Sequence, residues 1–170
     1  MTVVVAAIIQ DQQGNFLCAK RGDWKSLPGK WEFPGGKVSE GEELAAALIR
    51  EIKEELSVEI NVVREFDRTV TGEIELVCFV CDLVSDKPTT STDHSELRWV
   101  AEKDLGSLDW SEADLPAVKK ILIPYCELIS RSGNLRYSLF QESSGYFQIK
   151  SSASSASAAQ KNTCVRSTVS

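Results

Sequence analysis

The chain has no excess of positive charge: 19 lysines and arginines face 25 aspartates and glutamates, a formal net charge of −6. Nucleic-acid polymers are held by basic surfaces that exchange counterions, so they are excluded as large partners. A small phosphate compound is a different case, because a divalent cation can bridge two negative partners. Nor is there an apolar run approaching the ~20 residues that a membrane helix needs, so no membrane partner is expected. The apolar opening at 3–9 has no basic residues before it and no small-residue cleavage site after it, and reads as a buried strand, not a secretion signal. The five cysteines form no even set and argue against a disulfide framework. Cys78 and Cys81 have CxxC spacing, but in a strand they point to opposite faces, and no second pair completes a zinc site. Buried thiols in a reducing, cytoplasmic compartment are the expectation.

Hydrophobic residues make up 42% and charged residues 26% of 170, which suits a soluble domain with an appended segment. The run at 3–10, turn residues 11–15 and a second run at 16–20 predict a β-hairpin. A polar loop leads to a short segment at 31–33, punctuated by Pro34-Gly35-Gly36. Ser39 with Glu42 reads as a capping box, and Leu44, Leu48, Ile52 and Leu56 form an i, i+4 stripe, predicting a helix over 39–56. Strands are expected at 58–70, 73–84 and 96–101, with a closing helix at 115–129. Strands dominate beside two unlike helices, which makes α+β the fold class. The expected division is a domain at 1–130 and an extension at 131–170. Within the extension, 135–149 is a weak strand or packs on the domain, and the Ser/Ala-rich stretch from about 150 is expected to be disordered.

At about 100° per residue, Glu51, Glu54 and Glu55 share an arc of about 100° on the predicted helix. They are i, i+3 and i, i+4 neighbours, and like charges so placed cost a helix a few tenths of a kcal/mol per pair. A hard divalent cation offsets that cost, because Mg²⁺ takes oxygen ligands from carboxylates and substrate phosphates. Taken alone, the triplet reads more readily as a solvated acidic face.

Its context is more specific. Gly36, five residues, Glu42, seven residues and then Arg50-Glu51-Ile52-Lys53-Glu54-Glu55-Leu56-Ser57-Val58 closely resembles the Nudix box, with Ser57 where the family has glycine. That glycine suits a left-handed helix cap, which costs a residue with a Cβ ~1 kcal/mol; Ser57 removes no metal ligand. The resemblance covers roughly 2–129 and implies a mixed β-sheet between helices. It further implies that Glu51, Glu54 and Glu55 bind Mg²⁺ or Mn²⁺, that Gly36 supplies a backbone oxygen, and that Arg50 orients a catalytic glutamate. For Glu42 a structural role is expected.

Residues 31–37, Trp-Glu-Phe-Pro-Gly-Gly-Lys, look like the MutT-type nucleoside triphosphate pyrophosphohydrolases, including those acting on CTP or oxidised dGTP. The resemblance implies that Arg21 contacts phosphate, as does Lys37, and that Asp93, or failing it Glu96, is an extra carboxylate serving the metal or acting as base. His94, the one histidine, is expected to be a solvated loop residue. Phe33 either stacks on the base or belongs to the core. Asp114 either reads the base edge or caps the helix starting at Leu115-Pro116. The implied reaction is metal-dependent hydrolysis of a nucleoside triphosphate (CTP, dCTP or 8-oxo-dGTP) to a monophosphate and pyrophosphate. Residues that mark dinucleotide hydrolases in the family, a proline fifteen or a tyrosine seventeen after the box, are here Glu73 and Glu75. The alternatives are a Nudix hydrolase of another nucleoside diphosphate-linked compound and a non-catalytic nucleotide-binding module. A monomer or homodimer acting on a small nucleotide is expected.

Overall fold

Val3 to Ile9 lie in strand β1 (Thr2–Ile9), which is buried on both faces and therefore shows no polar alternation. Its alternate residues enter two different cores. Val5, Ala7 and Ile9 pack with Leu48, Ile52 and Leu56 of helix α1 (Leu44–Leu56). Ala6 and Ile8 pack with Trp110 and with Ala117 and Val118 of helix α2 (Leu115–Leu122). The sheet is thus covered by a helix on each side. Truncating the fully buried Ile52 to Ala would cost about 2–5 kcal/mol and loosen α1 from β1.

The computed structural model describes residues 1–123, 136–141 and 147–152. The chain divides into two units, Met1–Leu122 and Ile123–Ser170. In the first, β4 (Gly35–Lys37), β1, β6 (Ile74–Leu83) and β5 (Ile60–Thr71) form one sheet in that order, with β1 and β6 parallel and the other pairs antiparallel. A second sheet has the order β3 (Trp31–Glu32), β2 (Asn15–Arg21), β7 (His94–Ala101). This is the mixed α+β architecture read from the sequence. Cys78 enters the α2-side core and Cys81 the α1-side core, so the CxxC thiols do face apart.

Three local expectations are corrected. β1 and β2 do not form a hairpin: both edges of β1 are taken by β4 and β6, and only the Gln10–Phe16 bridge links it to β2. The box helix begins at Leu44, not at residue 39. Ser39 N–H donates to Glu42 Oε2 at 3.0 Å and Glu42 N–H to Ser39 O at 3.1 Å, a turn that Gly41 ends at φ +77°. Ser57 does adopt the left-handed cap, at φ 57° and ψ 27°, its N–H donating to Lys53 O. Third, a 3-10 segment, Glu102–Ser107, precedes α2 where no element was predicted.

In the second unit, β8 (Arg136–Gln141) pairs antiparallel with β9 (Phe147–Ser152). β9 includes the first two residues of the Ser/Ala-rich run; the remainder of that run, and most of 123–129 of the closing helix, lie outside the described residues. Among the described residues no helix is long and apolar enough to cross a membrane.

Candidate active site

Arg50 gathers the outer carboxylates of α1. Its Nε and Nη2 grip Glu42 through both oxygens at 2.8 Å, and Nη1 reaches Glu51 at 2.9 Å and Glu54 at 3.4 Å. Nη2 also donates to Lys37 O at 3.2 Å, tying the helix to β4, while the Lys37 side chain stays exposed. The fork geometry of a guanidinium suits this bidentate hold. It pulls the Glu42 carboxyl down to about 2, and Glu42 serves as the anchor of Arg50. Gly36 lies against Glu51: a Cβ at Gly36 would sit 2.3 Å from the Glu51 Cδ. Only glycine admits that approach.

Glu55 faces the other way. It is 9% exposed, and its Oε2 is buried without a hydrogen-bond partner. Burial, reinforced by the neighbouring Asp93 carboxyl, pushes its pKa up to about 9. Burial also acts to raise Asp93, but its hydrogen bond to Glu55 and its ion pair with Lys25 leave it below the ordinary carboxylate range. A proton between the two acids therefore resides on Glu55. The loop carrying Asp93 is docked on the end of α1 by Thr92 N–H, which donates to Glu55 O at 3.0 Å.

His94 is buried, not solvated. Its Nε2 lies 3.0 Å from Glu32 Oε1, its Nδ1 3.0 Å from Ser91 Oγ and 3.9 Å from Glu55 Oε2. Ser91 Oγ already accepts the Asp93 and His94 backbone N–H groups. The network closes when Nε2–H donates to Glu32 and Nδ1 accepts from the Ser91 hydroxyl, leaving Glu55 Oε2 without a donor. Burial would raise Glu32, yet the His94 hydrogen bond and Arg21 hold it below the usual carboxylate range. Arg21 uses each of its nitrogens within the chain: Nη1 to Glu32 at 2.5 Å, Nε to Ser26 O and Nη2 to Ser26 Oγ. None of Glu32, Ser91 or Lys25 stood out in the sequence. Glu32 alone carried a signal, as an acid set between two aromatics at the start of the Pro-Gly-Gly turn.

The remaining candidates are placed as follows. Asp93 is the loop carboxylate at Glu55; Glu96 points to Arg98 and Lys20. Phe33 is a core residue, 3% exposed and 4.9 Å centroid to centroid from Trp110, so it offers no free face for base stacking. Asp114 is also 3% exposed. Its Oδ1 accepts Phe33 N–H at 3.0 Å and its Oδ2 the Ser111 hydroxyl at 2.7 Å. The side chain thus ties β3 to the approach of α2 instead of pointing at a base or capping the helix. Burial raises its carboxyl to about 7 although both hydrogen bonds oppose the shift.

Among the described residues, no three His, Cys, Asp or Glu side chains form a ready-made cation cage. The donor set nonetheless fits a hard cation. Glu55 carries an orphaned, buried oxygen, Glu51 is pressed onto the Gly36 backbone, and all the acidic groups on this helix end offer oxygen only. An unpartnered buried carboxylate oxygen is costly, and a cation supplies the missing partner.

Residues 1–123 match the NUDIX domain family. The chain is 37% identical over 117 residues to a putative 8-oxo-dGTP diphosphatase 2 of Mycobacterium tuberculosis, spanning 66% of this chain and 81% of that protein. It is 34% identical over 127 residues to the CTP pyrophosphohydrolase of Escherichia coli, spanning 72% and 92%. The solution structure of a MutT protein of the Nudix hydrolase family from methicillin-resistant Staphylococcus aureus superposes with a TM-score of 0.60 at 38% identity, over 71% of this chain and 95% of that one. With the box helix, its cap and the sheet between two helices in place, the protein belongs to the Nudix family, as a hydrolase of the nucleoside triphosphate pyrophosphohydrolase group.

Proposed function

We propose that the protein hydrolyses nucleoside triphosphates, either canonical ones such as CTP and dCTP or oxidised ones such as 8-oxo-dGTP, to a nucleoside monophosphate and pyrophosphate in the presence of Mg²⁺ or Mn²⁺. The observation that carries this reading is Glu55, whose unpartnered buried oxygen lies at the end of the box helix beside Asp93. Nudix hydrolases generally use divalent metals. Here Glu51, Glu54, Glu55 and the Gly36 backbone would hold the ion. The chemistry it supplies when bound is neutralisation of phosphate charge and polarisation of the phosphoryl oxygens.

Water attacks phosphorus, a P–O bond to the leaving pyrophosphate breaks, and the proton of the attacking water passes to a carboxylate. Asp93, held below the ordinary carboxylate range beside Glu55, is the group that this reading assigns to take that proton. Arg50 fixes Glu51 against Gly36 and keeps its oxygens in one orientation. Asp114 positions the Phe33 backbone, and through it the Pro34-Gly35-Gly36 turn that carries the site. Positioning and electrostatics supply most of the rate enhancement in phosphoryl transfer.

The test is a screen of canonical and oxidised nucleoside triphosphates with Mg²⁺, reading pyrophosphate and monophosphate separately. Equimolar release of both is expected from at least one substrate. Orthophosphate with a nucleoside diphosphate, or no turnover on any triphosphate, would overturn the assignment.

A further inference from the structure

Arg21, the residue that the family resemblance selects for phosphate contact, is spent inside the fold. Each of its nitrogens donates to Glu32 or Ser26, and those bonds shape the loop between β2 and β3. The same loop carries a second cation. Lys25 N–H donates to Gly22 O in a tight turn, and its half-buried ammonium pairs with Asp93, the carboxylate that hydrogen-bonds Glu55. Beside that pair lies the orphaned Glu55 Oε2, more than nine-tenths buried with its residue. His94 Nδ1 stands 3.9 Å from it, beyond hydrogen-bond reach. Among the described residues, Lys25 is the side chain that forms an ion pair with Asp93.

We propose that Lys25 is a tethered counter-cation, which competes with the divalent ion for the Asp93–Glu55 pair and passes to the substrate's phosphate once displaced. The inference rests on the functional reading above, in which a divalent ion binds among these carboxylates. The physical reason is direct. A divalent ion held by Glu55 repels the ammonium that pairs with the adjoining Asp93, and it has the stronger attraction for these carboxylates. The freed ammonium, on a flexible four-carbon stem, then stands beside the arriving polyphosphate, and Lys binds phosphate well as a point charge. Arg21 does not make this exchange, because Glu32 and Ser26 hold it.

The test measures Mn²⁺ binding to the full chain without nucleotide, by electron paramagnetic resonance, for the wild type, Lys25→Met, Lys25→Arg and Glu55→Gln. Lys25→Met should bind Mn²⁺ about fivefold more tightly, the weight of one partly exposed ion pair. Lys25→Arg, which keeps the charge, should stay near wild type, and Glu55→Gln should bind more weakly. Kinetics should show the opposite side of the exchange: in Lys25→Met, KM for the triphosphate rises about tenfold while kcat changes less. Unchanged or weaker Mn²⁺ binding in Lys25→Met, with Glu55→Gln impaired, would overturn this inference alone. Glu55→Gln binding Mn²⁺ like the wild type would instead remove the functional reading and the inference with it.

Discussion

The backbone of Gly36 lies so close to the Glu51 carboxylate that a methyl group on Gly36 would stand 2.3 Å from Cδ and 2.4 Å from Oε2. Gly36→Ala must therefore displace Glu51, a flexible side chain, and should lower kcat by about a hundredfold with a small change in stability. Gly35 is a contrasting neighbour. Its Cβ would meet Val5 O at 2.0 Å, a backbone atom within the β1–β4 pairing. Gly35→Ala should destabilise the fold by about 1–3 kcal/mol or more. Urea unfolding set beside turnover separates the two effects, and equal stability losses in both variants would contradict the assignment.

Ser57 holds the left-handed cap of α1 at φ 57° with a side chain that disfavours it. Ser57→Gly should stabilise the protein by about 0.5–1 kcal/mol, since glycine enters this region without steric cost. The shift is read from the urea midpoint at constant slope. Turnover should not move, because Ser57 lies past the end of α1 and its N–H is committed to Lys53 O.

Asp114 should make stability fall as pH rises. Its folded pKa, about 7, is raised above its ordinary 3.8, so the folded state binds more protons between those values. Its stabilising contribution is full below about 3.8 and is lost as pH climbs through 7, at no more than ~1.4 kcal/mol per pH unit. Asp114→Asn keeps an oxygen for Phe33 N–H and offers an N–H to Ser111, but carries no charge. It should flatten the stability profile between pH 4 and 7 and be the more stable protein above it, as tested by thermal melts across that range.

Glu55 gives a linkage between protons and the cation. Its pKa of about 9 also lies above the ordinary 4.5, so without a divalent ion its contribution to stability fades as pH rises between them. A cation bound to the ionised form must expel the proton that Glu55 carries. The rise in Tm produced by Mg²⁺ should therefore grow from pH 6 to pH 9, and Glu55→Gln should abolish that growth. A Tm increment independent of pH in the wild type would contradict the shared-proton description of Glu55 and Asp93.

The parts of the fold carried by local pattern were legible in the sequence. The unbroken apolar run of β1 reads as a strand because both its faces are buried, and the opposed Cys78 and Cys81 follow from strand periodicity alone. The left-handed turn at Ser57 was suggested only by the family's glycine at that place in the box, with a different helix end as the alternative, and Ser57 adopts it. What failed depended on contacts distant in the chain. The β1–β2 hairpin is absent because β4 and β6 occupy the edges of β1, a choice that no local turn signal records. His94 lies on a polar loop, and its burial is decided by Glu32, 62 residues away. Asp114 reaches back 81 residues to Phe33, which binds both of them into the framework under the site. Spacing put the three glutamates on one helix, α1, but did not show that Arg50 would draw Glu51 and Glu54 to one side while Glu55 turned inward to Asp93.

The most direct test of the α1 carboxylates as a cation-dependent phosphohydrolase site is Mg²⁺-supported pyrophosphate release by the wild type, Glu54→Gln and Glu55→Gln on the best substrate of the nucleotide panel. Both variants should lose turnover by orders of magnitude while their far-ultraviolet circular dichroism stays native. Wild-type turnover in either folded variant would contradict it.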